Sequence, residues 1–395
     1  MSQALNIVLA GGGSGGHVYP ALAIGEIARE RFPEARFLFI GTRRGAESSI
    51  VPARGIEIAY VSIESFRKSA VSMGLFGAAL LRAAWQARRI MRAFRPDLVI
   101  ASGGYASAPV VLAAALPGNP GGGMRPKIFV HEQNVVAGLA NRLAGRFADR
   151  VGTTFAESGR YFPSRKTLHV GYPLRSQITA GGREEARRTL GIDDRAFVVF
   201  AFGGSAGSRT INRAVADGLD LLLAEKDLHV IHAVGRYRGS DYDPKRDTQE
   251  RLDRKAPGAD LLARYHPLEY TETIGTCYSA SDLVVCRCGS GTLFELRRAM
   301  KPSILLPKMG SAGEHQLANA RSMERDGFAA VLRESRDEGD ARGVMKVDGA
   351  LLAGKILELK RNPERLEEMR RRLTESGAPD SRKAIGDALE ALVSS

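Results

Sequence analysis

The sequence predicts an α/β protein built from two doubly wound, parallel-sheet domains that face a shared cleft. Short apolar runs rich in β-branched residues alternate with helical stretches, the pattern of parallel strands covered by helices on both faces. A glycine-rich turn also occurs twice. Gly12-Gly13-Ser14-Gly15-Gly16 follows the run at residues 6–10, and Gly203-Gly204-Ser205-Ala206-Gly207 follows the run at 197–202. A second pair of turns, Gly103-Gly104 after Asp97-Leu98-Val99-Ile100 and Gly289-Ser290-Gly291 after Asp282-Leu283-Val284-Val285, repeats at nearly the same offset, 186 residues against 191. Such turns let backbone N–H groups approach a phosphate, so a nucleotide-linked substrate is the first functional expectation.

In the first half, strands are predicted at residues 7–10, 37–40, 58–61, 98–100, 128–130 and 150–153. The turn-rich stretch Gly171-Tyr172-Pro173 and then Gly181-Gly182 places a domain boundary near Arg175. Strands resume at 197–202, 228–234, 261–264, 283–286, 303–306 and 329–332. Pro117-Gly118-Asn119-Pro120-Gly121-Gly122-Gly123 reads as a flexible inserted loop. Beyond Asn362-Pro363 two helices are expected, separated by Gly377-Ala378-Pro379, with Asp380 or Ser381 capping the second. The predicted division is 1–175, 176–365 and a helical segment 366–395, whose last helix crosses back onto the first domain.

At 395 residues, two or three domains can each bury a core. With 44% hydrophobic and 26% charged residues, no apolar run approaches the roughly 20 residues of a membrane span. The start of the chain carries no cationic segment and enters the first core strand directly, so a cleaved signal peptide is not expected and the chain should remain in the cytoplasm. A net charge of +13 favours anionic partners, with phosphates and acidic lipid surfaces ahead of nucleic acid, for which no reading motif is present. Cys277, Cys286 and Cys288 suit a reducing compartment. Cys286 and Cys288 lack a second pair at zinc spacing, and His229 and His232 sit three apart in a predicted strand and so face opposite sides. No metal site is expected.

Gly11-x-Gly13-x-x-Gly16 has the form of a dinucleotide fingerprint, but the second strand ends in Gly41-Thr42-Arg43-Arg44 where an acid for the ribose belongs. That leaves an NADP reading through the arginines as a rival. His17, directly after the first glycine turn, is either a general base for an incoming hydroxyl or a group that caps the helix. Ser290-Gly291-Thr292 followed by Glu295 is more specific: helix N–H groups suit a diphosphate, and a carboxylate one turn in suits ribose hydroxyls. Asp241 and Asp243 could mimic a metal-binding carboxylate pair, yet their charged setting makes them solvated surface. Residues 73–94 form an amphipathic helix in which Met73, Leu75, Phe76, Leu80, Leu81 and Trp85 accompany Arg82, Arg88, Arg89 and Arg92, either core packing with a basic outer face or a membrane-surface patch.

From residue 9 to about residue 332 the sequence resembles the MurG family of N-acetylglucosamine transferases. The resemblance rests on Gly12 to Leu22, on Gly103-Gly104-Tyr105-Ala106-Ser107-Ala108-Pro109, and on His131-Glu132-Gln133-Asn134 with Gly138-Leu139-Ala140-Asn141. Gly203-Gly204-Ser205, Cys286-Arg287 with the following glycine turn, and His315-Gln316 with Asn319-Ala320 complete it. It implies a GT-B fold of two Rossmann-like domains. It also implies an inverting transfer from UDP-N-acetylglucosamine to the 4-hydroxyl of a lipid-linked N-acetylmuramyl-pentapeptide, a peptidoglycan precursor step of cell-wall biogenesis, cell shape and division, with no cofactor.

Carried over by residue, the resemblance assigns the donor to Ser14, Gly15, Gly16, Asn134, Arg175, Ser205, Thr271, Ser290, Gly291, Thr292, Leu293, Phe294, Glu295, His315 and Gln316. Tyr105 and Glu132 fall on the acceptor side with His17, and His17 or Glu132 is the base. An anionic membrane surface on the cytoplasmic face, bound peripherally, and cell-wall synthesis or division proteins are the implied partners. The sequence departs from the family pattern at Tyr172, Ala206, Ser208 and Glu314. A different lipid glycosyltransferase of the same architecture and a non-catalytic nucleotide-sugar binder are the remaining rivals.

Overall fold

The first strand, β1 (Asn6–Ala10), is buried at every position from Ile7 onward, as a parallel strand covered on both faces must be. The computed structural model describes residues 5–63, 70–117, 125–173, 182–237, 239, 241–255, 258–271, 274–309, 314–337 and 344–395, with residues 70–76, 259–260 and 314 described by backbone alone. The chain divides into two units, Met1–Arg175 with Pro379–Ser395, and Ser176–Ala378.

In the first unit β1 is joined by β2 (Arg36–Gly41), β3 (Glu57–Tyr60), β4 (Leu98–Ala101), β5 (Lys127–Glu132), β6 (Arg150–Thr153) and β7 (Thr167–His169), all parallel, in the order β3-β2-β1-β4-β5-β6-β7. Strand order reverses between β1 and β4. The connections leaving these two strands therefore flank the switch point, where doubly wound sheets bind ligands. The second unit repeats the plan with β8 (Phe197–Phe202), β9 (Leu228–Ala233), β10 (Tyr265–Leu268), β11 (Leu283–Cys286), β12 (Ser303–Leu305) and β13 (Ala329–Val331), ordered β10-β9-β8-β11-β12-β13. Its switch point lies between β8 and β11, the strands that precede the second set of glycine turns.

The strand expected at 261–264 is not there. Those residues include a helical turn, Ala259–Leu262, and the strand is Tyr265–Leu268. Arg264 donates to the carbonyls of Leu223 (2.7 Å) and Glu225 (2.6 Å), which holds this stretch at the end of the preceding helix rather than in the sheet. Pro267, which has no N–H, is tolerated because β10 is an edge strand. The short β7 carries two exposed residues, Leu168 and His169, and so gave no apolar signal.

The segment expected as a separate piece at 366–395 is divided between the units. The helix Pro363–Glu375, capped by Asn362 Oδ1 accepting from the Arg365 N–H (3.0 Å), buries Leu366 and Met369 in the core of the second unit. The helix Ser381–Val393 is capped by Asp380, whose carboxylate accepts from the Lys383 N–H (3.1 Å). It packs Ile385, Leu389 and Leu392 with Ile7, Leu9, Ile24 and Ile27 of the first unit. Arg31 holds it there through Glu390 (2.9 Å) and Asp387 (3.1 Å).

Candidate active site

In the first unit the glycine loop after β1 meets the loop after β4. Gly104 has φ +80°, and a Cβ there would lie 2.1 Å from the Gly12 carbonyl, so only glycine allows this approach. The Tyr105 ring rests against Gly13. Glu47, fully buried, organises the loop from beneath: it accepts from the N–H of Gly13 (2.9 Å) and from both the N–H (2.8 Å) and hydroxyl (2.7 Å) of Thr42. A buried carboxylate met by N–H and O–H donors keeps its charge compensated by dipoles. The helix Gly15–Arg31 begins at Ser14 without a side-chain cap, leaving first-turn N–H groups for an anion.

His17 is half-buried, and its Nδ1 lies 3.2 Å from the Ser102 carbonyl. A carbonyl only accepts, so Nδ1 carries a proton, and in the neutral ring Nε2 holds the lone pair. The ring is thus held in the tautomer that a general base needs. Ser102 fastens the same turn from its hydroxyl, which donates to the His17 carbonyl (2.5 Å). Glu132 is buried at the end of β5 and is fully engaged. Oε1 accepts from the Asn134 N–H (2.9 Å), and Oε2 accepts from the Gly138 N–H (3.1 Å) and Asn141 Nδ2 (2.9 Å). Its carboxylate thereby shapes the loop that carries Asn134. His131 is buried between the Gly171 carbonyl (2.9 Å) and Gln133 Nε2 (3.2 Å), and burial pushes its pKa down to about 4.

In the second unit the glycine loop after β8 is locked to the turn after β9. A Cβ at Gly235, φ +101°, would lie 2.1 Å from the Gly207 nitrogen, and the Arg236 N–H donates to the Ser205 carbonyl (3.0 Å). Ser205 and Ala206 are exposed. Ser208 caps the next helix, Arg209–Leu223, and accepts from Arg287 Nε (3.0 Å). Arg287 also pairs with buried Glu334 (2.6 Å), whose other oxygen takes the Met309 N–H (2.9 Å). One ion pair thus ties the connections leaving β8, β11, β12 and β13.

The helix Ser290–Arg298 starts after Gly289 with no side-chain cap, which leaves the N–H groups of Ser290, Gly291 and Thr292 and the positive end of the helix dipole for a ligand. Leu293 and Phe294 are buried side chains, and the Leu293 N–H donates to the Gly289 carbonyl, so their expected donor contact would have to run through backbone. Glu295 is half-buried and accepts from the Tyr278 hydroxyl (2.9 Å). Gln316 accepts from the Lys308 N–H (3.0 Å) beside half-buried His315. Thr271, after β10, hydrogen-bonds the Cys277 thiol.

Arg175 and the Pro117–Gly123 loop from 118 onward lie outside the described residues, as do the side chains of Met73, Leu75 and Phe76. Arg43 lies over the Tyr60 ring (4.6 Å to its centre), and Thr42 is committed to Glu47. Asp243 caps the helix Pro244–Lys255 by accepting from the Arg246 N–H (3.1 Å), while Asp241 is exposed and pairs with Arg209. His229 and His232 do face different neighbours, His266 and Tyr265. On the helix Ala70–Phe94, Leu81 and Trp85 are exposed (71% and 62%), with Arg82, Arg89 and Arg92 beside them. Arg88 departs from the expected basic face, donating instead to the carbonyls of Ala113 (3.3 Å) and Pro117 (2.8 Å). Sequence reasoning missed Glu47, Ser102, Tyr278 and Glu334; an acid two residues beyond the Gly41-to-Gly45 turn was the one available signal.

Residues 7–153 match the glycosyltransferase family 28 N-terminal domain, and residues 198–385 match its C-terminal domain. The UDP-N-acetylglucosamine–N-acetylmuramyl-(pentapeptide) pyrophosphoryl-undecaprenol N-acetylglucosamine transferase of Desulforudis audaxviator (strain MP104C) is 37% identical over 393 residues, 98% of each chain. The chain belongs to the MurG family. A second MurG-family relative, the enzyme of the same name from Desulfitobacterium hafniense (strain Y51), is 36% identical over 96% of this chain and 97% of its own. Among solved structures, Acinetobacter baumannii MurG aligns with a TM-score of 0.73 at 23% identity, covering 98% of this chain and all of that one. The calicheamicin glycosyltransferase CalG4 aligns at 0.64 and 15% identity, over all of this chain and 99% of that one. At such identities the likeness is one of fold, the two Rossmann-like domains of GT-B glycosyltransferases.

Proposed function

We propose that this MurG-family chain transfers N-acetylglucosamine from UDP-N-acetylglucosamine to the 4-hydroxyl of the N-acetylmuramyl group of undecaprenyl-pyrophosphoryl-MurNAc-pentapeptide, making the next lipid-linked precursor of peptidoglycan. The observation that carries the reading is the near full-length 37% identity to a relative named for that transfer. The acceptor oxygen forms a bond to the anomeric carbon as the bond from that carbon to the diphosphate breaks, with inversion. Nε2 of His17 takes the hydroxyl proton, and the diphosphate leaves with the electron pair.

Charge gathers on the departing diphosphate, so the useful groups are donors already aimed there. The N–H groups of Ser290, Gly291 and Thr292 at an uncapped helix start are of this kind, and the family resemblance adds Gly15, Gly16 and Arg175. Glu295 takes ribose hydroxyls. Ser14, Asn134, Ser205, Thr271, His315 and Gln316 complete the donor contacts, and Tyr105 borders the acceptor. Glu132 acts here as the group that positions the Asn134 loop, because its oxygens are already occupied, and His17 is the base.

The chain works peripherally at the cytoplasmic face of the membrane, with the Leu81–Trp85 face and its arginines on anionic lipid. Among the described residues no helix is long and apolar enough to cross a membrane. The reading is tested with radiolabelled UDP-N-acetylglucosamine and a short-chain analogue of the lipid-linked muramyl acceptor. Labelled product is expected, and His17→Ala should lower turnover by about 10²–10⁴-fold while UDP still binds. Turnover within a few-fold of the parent would remove His17 as the base, and no product from the parent protein would remove the assigned reaction.

A further inference from the structure

Tyr278 lies on the short helix Ile274–Ala280, fully buried. Its ring stands edge-on to Phe200 (5.8 Å between centres) and Phe202 (6.0 Å), which stack on each other along β8 (4.8 Å). Three rings packed this way leave the phenol one orientation. Burial beside Glu295 pushes the Tyr278 hydroxyl well above its ordinary pKa, so it keeps its proton and donates it to Glu295 Oε2 at 2.9 Å. Glu295 is partly buried, and its carboxylate is the group that the phenol orients.

We propose that Tyr278 is a positioning residue that sets Glu295 for the ribose 2′-hydroxyl and so makes the protein prefer ribonucleotide over 2′-deoxyribonucleotide donors. The inference rests on the reading that Glu295 takes ribose hydroxyls. It goes beyond that reading by assigning nucleotide-sugar discrimination to a side chain that touches no substrate. A carboxylate on a free side chain samples several rotamers, whereas one oxygen held by a rigid phenol presents the other in a narrow range of directions, and a hydrogen bond is sensitive to that direction.

The test uses the full chain with UDP, 2′-deoxy-UDP and UDP-N-acetylglucosamine. Tyr278→Phe keeps the ring stack and removes only the donor. Its ratio of UDP to 2′-deoxy-UDP affinity, read by calorimetry, should fall about five- to tenfold. KM for UDP-N-acetylglucosamine should rise by a similar factor with kcat within twofold. A merely structural tyrosine would not change the ratio. Glu295→Gln separates the two claims. If it lowers the ratio and Tyr278→Phe does not, the role of Tyr278 is overturned while the ribose reading stands. If Glu295→Gln leaves the ratio unchanged, the ribose reading falls and this inference with it. Should Tyr278→Phe fail to fold, Phe202→Leu loosens the ring that orients the phenol. The ratio must then fall there, and an unchanged ratio overturns the proposal.

Discussion

Asp282 stands just before β11 and holds the base of the second unit together. It accepts from Arg187 (2.8 Å), from Arg183 (2.6 Å) and from the Val198 N–H (2.8 Å). The Arg187 side chain is 0% exposed and that of Asp282 8%, so this is a buried pair, whereas Arg183 is nearly half-exposed. Asp282→Asn preserves shape and removes the charge, leaving a guanidinium in the interior without its paired carboxylate. Breaking a buried pair from one side costs about 3–5 kcal/mol. Arg187 would keep the carbonyls of Ala280, Asp194 and Ala196 as acceptors, which puts the cost near the lower end, about 3 kcal/mol. For a unit of about 200 residues that is a fall of about 6–12 °C in Tm.

Lys301 adds to the effect. Burial already lowers its pKa to about 8, and Asp282 is the charge that supports it. Arg183→Ala is the control: an exposed partner contributes at most about 1 kcal/mol. Urea unfolding and thermal melts of parent, Asp282→Asn and Arg183→Ala decide the matter. An Asp282→Asn protein within 1 kcal/mol of the parent would refute the buried-pair argument.

Two further outcomes are expected. His131 and His232, one in each unit, are buried and neutral, with burial lowering their pKa to about 4 and about 3. An unfolded histidine titrates near 6.5, so below that pH the unfolded chain binds more protons and stability falls as pH drops. For His131 the loss is about 2 kcal/mol at pH 5. Urea midpoints at pH 7 and pH 5 should show it, and His131→Gln should make the slope shallower; equal midpoints would count against the buried neutral state. On the face proposed to meet lipid, changing Leu81 and Trp85 to Ser and Arg82 and Arg89 to Glu should cut sedimentation with anionic vesicles at least tenfold, since each basic residue near such a surface contributes about 1 kcal/mol. Undiminished binding would move the docking face elsewhere.

Most of the sheet plan was legible because buried parallel strands are apolar along their whole length, as in β1, β8 and β11, and because glycine turns mark the strand ends where chain must approach chain. Legibility failed where tertiary contacts overrode local pattern. The Leu261-to-Arg264 stretch has strand-like composition, but Arg264 is drawn onto the carbonyls of a neighbouring turn. The arginines of the Ala70–Phe94 helix look alike in sequence, and only packing against Ala113 and Pro117 takes Arg88 out of the exposed set. Asp380 rather than Ser381 caps the last helix, a choice of one residue that backbone geometry makes.

Sequence by itself determined the fold class, the doubled glycine-turn layout and the family, since these depend on hydrophobic period and on residues such as Gly104 whose backbone admits no side chain. Tertiary structure decided which groups are free to act. The tautomer of His17 depends on a carbonyl 85 residues away in the chain. The contact of Glu47 with Gly13, 34 residues away, and the phenol behind Glu295 likewise follow from donors brought together by the fold, while Glu132 is engaged by the turn that follows its own strand. A carboxylate or imidazole has no chemical role until its partners are known, and those partners are set by distances in space that one-dimensional spacing does not encode.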